Sequence, residues 1–250
     1  MAQLKFGKQR ELWQPFTVVV PAHNEENYLP ATLSKLKESF EELGAEGRII
    51  VVNDDSSDRT RDVALEYEVE IVDVELRNIG AVRNAGAKAC QTGWLFFLDA
   101  DTLLPAKTLA LALDRLALGD AGGGALVSVP ADTKINFVKW MMFYAVKICW
   151  QSIGGWAAGC FMFCRRELFE DFGGFDENYF AIEEFFFSRQ VAARGRFSLV
   201  REPVITSARK LTSYSTWELL RFVTMPIMRF AGPFQSRLGL EILYDDDKSR

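Results

Sequence analysis

Two aspartates spaced two apart, Asp99 and Asp101, close the apolar run Trp94-Leu95-Phe96-Phe97-Leu98. No basic residue occupies the next five positions. An apolar run of this length predicts a strand buried on both faces, as in the middle of a parallel sheet. Two carboxylates at its end form a hard oxygen site for Mg²⁺ or Mn²⁺. The plainer reading is a strand followed by a solvated acidic turn. A second acidic pair, Glu183-Glu184, opens a helix predicted over 182–194. Acids suit a helix start whether or not they do chemistry. Asp54 follows another apolar run, and Arg83 lies one turn into an alanine-rich helical segment.

Positioning such groups needs a scaffold that gathers them, and the chain predicts one. Phe16 to Val20 reads as a first buried strand closed by Pro21, and Ile49 to Val52 as a second. Val69 to Val74 is a third and 94–98 a fourth. Between them run a helix carrying Leu29, Leu33, Leu36 and Phe40, ended by Gly44 and Gly47, and one holding Val63, Ala64 and Tyr67, capped by Asp58 or Ser57. Asn78-Ile79-Gly80 reads as a turn before the helix from Ala81 to Cys90. Strands alternating with helices predict a parallel sheet with crossover helices. The loops at 21–26, 53–58, 77–80 and 99–101 then converge on one sheet edge, where open α/β sheets bind ligands.

Downstream, a helix follows Pro105 and Gly122-Gly123-Gly124 reads as a flexible turn before a strand over 125–129. Residues 135–153 read as a long helix, apolar around most of its girth; core packing is the first expectation and a membrane- or acceptor-facing surface the second. Phe161-Met162-Phe163 is a strand, Glu167 to Asp171 a short helix and 173–177 a turn. The tail from Glu202 is mixed, with Trp217 to Phe230 apolar and an acidic end at 245–247.

Composition bounds the rest. Hydrophobic residues make up 49% and charged residues 25% of 250, as in a globular protein with a substantial core. A net charge of −5 gives no reason to expect nucleic acid. No apolar run is long enough to predict a transmembrane helix, and residues 1–10 lack the apolar centre of a signal peptide. Cytoplasmic placement is therefore expected, with Cys90, Cys149, Cys160 and Cys164 as buried free thiols. One histidine, His23, cannot build a multi-histidine metal site, and no Gly-x-Ser-x-Gly elbow accompanies it. The turn after the first strand has no glycine, which argues against dinucleotide binding, and no P-loop is present. What remains is acids on strand ends plus a basic element. Asp54 can accept from a pyrimidine N–H, Asp99 can bond a ribose hydroxyl and Asp101 can hold a cation bridging two phosphates. Arg83 can add charge at the phosphates or sugar.

The ordered set Pro21-Ala22-His23-Asn24-Glu25-Glu26, Val51-Val52-Asn53-Asp54-Asp55-Ser56-Ser57-Asp58, Asn78-Ile79-Gly80 with Arg83-Asn84-Ala85-Gly86, Phe97-Leu98-Asp99-Ala100-Asp101, Gly173-Gly174-Phe175-Asp176-Glu177 and Glu183-Glu184 resembles the family 2 glycosyltransferases over roughly 16–200. The resemblance implies an α/β GT-A fold: a mostly parallel central sheet flanked by helices, with a Rossmann-like nucleotide-sugar-binding half at 16–130, an acceptor and catalytic half at 131–210 and a C-terminal extension at 211–250. It implies an inverting, non-processive transfer from a nucleotide-diphosphate sugar, UDP-sugar favoured, to a hydroxyl of a saccharide or lipid-linked acceptor, with Mg²⁺ or Mn²⁺ on Asp101. Pro21, Ala22, Asn24, Glu25, Asp54, Asp55, Asn78, Gly80, Arg83, Asp99 and Ala100 would line the donor side. Trp156, with the aromatic stretch 137–156, would line the acceptor side, and Arg209 would close over the diphosphate. Glu184 would be the general base, with Glu183 next in line. The chain departs from the family at Asn53, at Asp55 and at Glu184, which stands where aspartate is usual. No Gln-x-x-Arg-Trp follows the acidic pair, which argues against a processive synthase. A peripheral contact with the inner face of a membrane is a further expectation. A nucleotidyltransferase on a similar scaffold, or a catalytically silent nucleotide-sugar or partner-binding module, are the alternatives.

Overall fold

The structure is a computed structural model, and it describes residues 9–153, 155–179 and 181–219. The expectations for the first eight residues and for the tail beyond Leu219 lie outside the described residues.

The strands are β1 (Phe16–Ala22), β2 (Gly47–Asp54), β3 (Glu70–Val74), β4 (Trp94–Leu98), β5 (Thr102–Leu103), β6 (Gly122–Ser128), β7 (Phe161–Arg165) and β8 (Phe197–Thr206). The helices are α1 (Leu29–Leu43), α2 (Thr60–Glu66), α3 (Ile79–Ala89), α4 (Ala106–Ala117), α5 (Phe137–Lys147), α6 (Arg166–Asp171), α7 (Glu183–Arg194) and α8 (Arg209–Ser213). All eight strands form one sheet in the order β3-β2-β1-β4-β7-β6-β8-β5. The first four in that order are parallel, as the alternation of strands and helices predicts. β7 then enters antiparallel between β4 and β6, β8 runs parallel to β6, and β5 closes the edge antiparallel to β8.

β4 is central, with β1 and β7 on its two sides and all five residues buried. Each such side chain contributes about 1.5–3 kcal/mol by leaving water. One layer of core packs α1 and α4 against Phe96, Phe161 and Phe163, and the other packs α3 and α7, the latter through Phe187, against Phe97 and Met162. α1 starts with Pro30 in its first turn and ends at Gly44, whose φ of +54° suits glycine. Its Thr32 and Ser39 hydroxyls donate to the carbonyls of Ala100 (2.7 Å) and Leu104 (2.8 Å). The helix therefore holds the loop that carries the acidic pair.

Several local expectations are corrected. Pro21 does not close the first strand, because its missing N–H is no obstacle where the strand continues to Ala22 opposite Asn53. Gly47 is the first residue of β2. Ile79 already belongs to α3, and Asn78 caps that helix through its side chain. The residue before α2 is Arg59, whose side chain makes no cap bond; Asp58 bonds the Thr60 N–H at 2.9 Å. Gly122-Gly123-Gly124 is buried strand. A Cβ at Gly123 would lie 1.9 Å from the Ser198 carbonyl oxygen and one at Gly122 2.3 Å from that of Phe163. The run is glycine because β6 is pressed between β7 and β8. β8 itself is not apparent in the sequence, since Arg201, Glu202 and Pro203 break its pattern. The aromatic helix is α5 followed by a π-helical turn over 148–153, and one face of it is exposed. Cys149 on that turn is exposed, while the other three thiols are buried and free.

Candidate active site

The carboxyl ends of β1, β2 and β4 meet as their parallel pairing requires, and their loops are laced together. Asn24, at φ +54°, accepts the Ser57 N–H (2.8 Å), and its own N–H donates to Ser56 Oγ (3.1 Å). Glu25 N–H donates to Thr60 Oγ1 (2.7 Å). His23 Nδ1 lies 2.6 Å from the Asp54 carbonyl. Pro21, Ala22 and Ala100 are buried backbone of this edge.

Asp54 is buried and turned sideways. Its two carboxylate oxygens accept the backbone N–H groups of Leu76 and Arg77 at 2.7 and 2.9 Å. It fixes the loop before α3. Asp55 beside it, at φ +52°, is exposed and pairs with Arg77 at 3.0 Å. Asn78 and Gly80 are likewise structural in their contacts. Asn78 Nδ2 donates to the carbonyls of Glu177 and Tyr179, and a Cβ at Gly80 would come within 3.2 Å of Phe175 Cβ.

Arg83 differs most from expectation. It is 1% exposed, neither a solvated helix cation nor a group open to phosphates. Its Nη1 donates to Glu183 (2.7 Å), and its Nη2 donates to Asp99 (2.9 Å) and to the Gly159 carbonyl (2.9 Å). Burial works against its charge, yet Asp99 and Glu183 hold it firmly protonated. It joins the end of β4 to the start of α7. Asn84, one residue on, completes the clamp by accepting from Phe175 N–H and donating to the Phe175 carbonyl and to Glu177. Two stretches ninety residues apart, 78–86 and 173–177, are thus one structural unit. The cavity of about 440 Å³ beside them is lined by Asn84, Tyr179, Glu183 and Phe186, among others. Its lining includes none of Asp99, Asp101 and Glu25.

Glu184 is the neighbour that Arg83 does not pair. Burial, and then the charge of Glu183, push its carboxyl up to about 8. A Cβ at Gly159 would lie 3.8 Å from the Glu184 carboxyl carbon and 3.9 Å from Glu183 Oε1, so the bare glycine borders both acids. Trp156 stands over the same helix start, its ring 4.6 Å from Phe185 and 4.9 Å from Trp150.

Asp101 sits at the other end of the cluster. Its carboxylate accepts from Ser207 Oγ (2.5 Å) and pairs with Arg209 Nε (3.1 Å). The same guanidinium forks onto Glu25 (2.9 and 2.5 Å) and lies over the Tyr28 ring at 5.0 Å. Burial pushes the Glu25 carboxyl up to about 7 against the lowering by Arg209, with Asp101 and Asp99 adding to the rise. Ser207 and Tyr28 were not apparent as site residues in the sequence; the only signal was the position of 205–210 after the core. Among the described residues no three acid, histidine or cysteine side chains enclose a metal position. Asp101 is the residue that would hold a hard cation, once its carboxylate is released from Ser207 and Arg209. Asp101 supplies a carboxylate at an excess of negative charge, and Mg²⁺ or Mn²⁺ commonly completes its shell with water and substrate phosphates.

A parallel sheet with ligand-binding loops at its carboxyl edge, interrupted by an antiparallel strand that brings in a second acidic pair, defines a GT-A-type fold. The model of the family described as "Glycosyl transferase family 2" matches residues 17–173. The chain belongs to that family. A 4,4'-diaponeurosporenoate glycosyltransferase of Staphylococcus haemolyticus is 36% identical over 110 residues, 40% of this chain and 28% of the relative. S. aureus TarS 1-349, solved in complex with UDP-GlcNAc, matches 92% of this chain and 70% of its own at TM-score 0.60 and 17% identity. Mannosyltransferase PcManGT from Pyrobaculum calidifontis, solved with GDP-Man and Mn2+, matches 94% of this chain and 71% of its own at TM-score 0.59 and 20% identity. The chain spans about a quarter to a third of the length of the first curated relatives it matches.

Proposed function

We propose that the chain is an inverting glycosyltransferase that moves a sugar from a nucleotide-diphosphate sugar, UDP-sugar favoured, to an acceptor hydroxyl, with Glu184 as general base. The observation that carries this reading is the unequal surroundings of two adjacent acids. Arg83 pairs with Glu183, while the Glu184 carboxyl is raised to about 8 beside Gly159. A base tuned towards neutral pH suits proton removal from a hydroxyl. Relatives solved with UDP-GlcNAc or GDP-Man support the donor class.

In this reading the donor lies along the β1, β2 and β4 ends, with Asp55 and the 23–26 loop at the base and Asp99 at the ribose. Glu184 takes the acceptor proton as the acceptor oxygen bonds the anomeric carbon from the face opposite the diphosphate. The anomeric C–O bond breaks and its electron pair leaves with the diphosphate, so the centre inverts. Arg209, already at the acidic cluster, exchanges Glu25 for phosphate oxygens. A divalent cation on Asp101 would neutralise the leaving diphosphate. The aromatic wall of Trp150, Trp156 and Phe185 suits a sugar ring or an apolar acceptor.

The test is a thermal-shift series with UDP, GDP and their sugars, with and without Mn²⁺. UDP-sugar is expected to raise the melting temperature in a Mn²⁺-dependent manner, and Asp101→Asn is expected to remove that dependence. Equal shifts with and without Mn²⁺ would end the metal role. No shift with any nucleoside diphosphate would end the donor assignment.

A further inference from the structure

The exposed side of α5 carries no charged group. Phe137, Met141, Tyr144 and Ile148 recur at spacings of four, three and four and are 79, 55, 50 and 50% exposed. Val138 and Ala145 fill the same side. An ordinary surface helix is oriented the other way, apolar stripe inward. Here the lysine turns in: Lys139 Nζ donates to the carbonyls of Leu211 and Tyr214, both at 2.6 Å. Those bonds and a contact from Asn136 to Thr216 bring the segment carrying Trp217, 74% exposed, against the start of α5. Trp217 is therefore exposed close to the start of α5, adding an indole to the phenol of Tyr144.

Charge says what the patch meets. The chain has a net charge of −5, yet no carboxylate occurs from Thr133 to Arg166, where Lys134, Lys139 and Lys147 fall. Lys134 is exposed beside the helix start, and Lys147 lies 5.7 Å from the Tyr144 ring centre. Glu218, the nearest acid in sequence to Trp217, is turned back onto the Ser215 N–H. Aromatic and aliphatic side chains flanked by Lys134 and Lys147, with exposed Asp132 lying before the helix rather than on its outer face, match the boundary of an anionic bilayer, where apolar groups enter the acyl region and lysines stay at the headgroups. We infer that the outer face of α5, together with Trp217, docks the protein onto the surface of an anionic membrane. No helix among the described residues is long and apolar enough to cross one. The inference stands on this face alone and does not depend on the transfer reaction.

The experiment is flotation of the full chain with phosphatidylcholine vesicles, with and without phosphatidylglycerol. The wild type is expected to float with the anionic vesicles, less with phosphatidylcholine alone and less at high salt. Met141→Glu and Trp217→Ser, both at exposed positions, are each expected to weaken vesicle partitioning roughly tenfold, the scale of losing one apolar side chain from the bilayer. Leu65→Glu, on the exposed side of α2, is the control and is expected to float as the wild type. Wild type that stays with the aqueous fraction, or Met141→Glu that floats unchanged, would overturn the inference. So would a wild-type dimer in sedimentation that Met141→Glu converts to monomer, since a second copy would then cover the face. Circular dichroism of each variant separates loss of docking from loss of fold.

Discussion

At Glu183 the Arg83 guanidinium stands 2.7 Å from a carboxylate oxygen, and at Glu184 the dominant influence is burial. One acid is thereby fixed as a charged partner and the next is left able to take a proton. A carboxyl raised to about 8 binds its proton more tightly in the folded chain than in the unfolded one, where it titrates near 4.5. Its contribution to stability is complete below about 4.5 and is lost as pH climbs through about 8. Melting temperature measured across that window is expected to fall more steeply for the wild type than for Glu184→Gln; parallel curves would contradict the raised value. Arg83 gives a second prediction. Replacing it by Met strands Glu183 without its cation, and chemical denaturation is expected to show a loss of about 3–5 kcal/mol, as for other broken buried pairs. A loss below about 1 kcal/mol would place the pair in the range of surface bridges. The acids stood out in the sequence by their place after apolar strands and at a helix start, and the structure brings Asp99 and Glu183 onto one guanidinium. The partner of Arg83 was not legible, since nothing in its position within α3 tells a solvated cation from one that folds back beneath Asp99.

The elements were legible where a strand or helix has a periodic pattern and illegible where backbone geometry overrides composition. β4 and α4 follow from their apolar patterns, and α7 follows from its glutamates and length. β6 did not, because three consecutive glycines signal a turn unless the neighbouring strands are known. Its glycines answer the close approach of β7 and β8. Gly123→Ala is expected to cost about 1–3 kcal/mol, since a backbone carbonyl must move to admit one methyl. The unfolding midpoint in urea would show this, and an unchanged midpoint would mean that β6 and β8 sit further apart than described. α5 was legible as a helix but not in orientation, as a helix apolar around most of its girth carries little information about which side is covered.

For the whole molecule, the sheet divides labour. The four parallel strands bring Asp54, Asp99 and Asp101 to one edge, and β7, antiparallel to β4, sets the Gly159 just before it at that edge, where Glu184 of α7 adjoins it. Arg83 and Arg209 then tie the two sides, the first to Glu183 and Asp99, the second to Glu25 and Asp101. The parallel half was predictable from the alternation of strands and helices. The antiparallel half was not, since its strand order is set by long connections with no local signature. Glu184 as the base is the central assignment, and donor turnover in Glu184→Gln tests it most directly. With UDP-sugar, Mn²⁺ and acceptor, release of UDP by the variant is expected to fall roughly 10²–10⁴-fold while calorimetric donor affinity stays unchanged. Undiminished release at unchanged affinity would contradict the assignment.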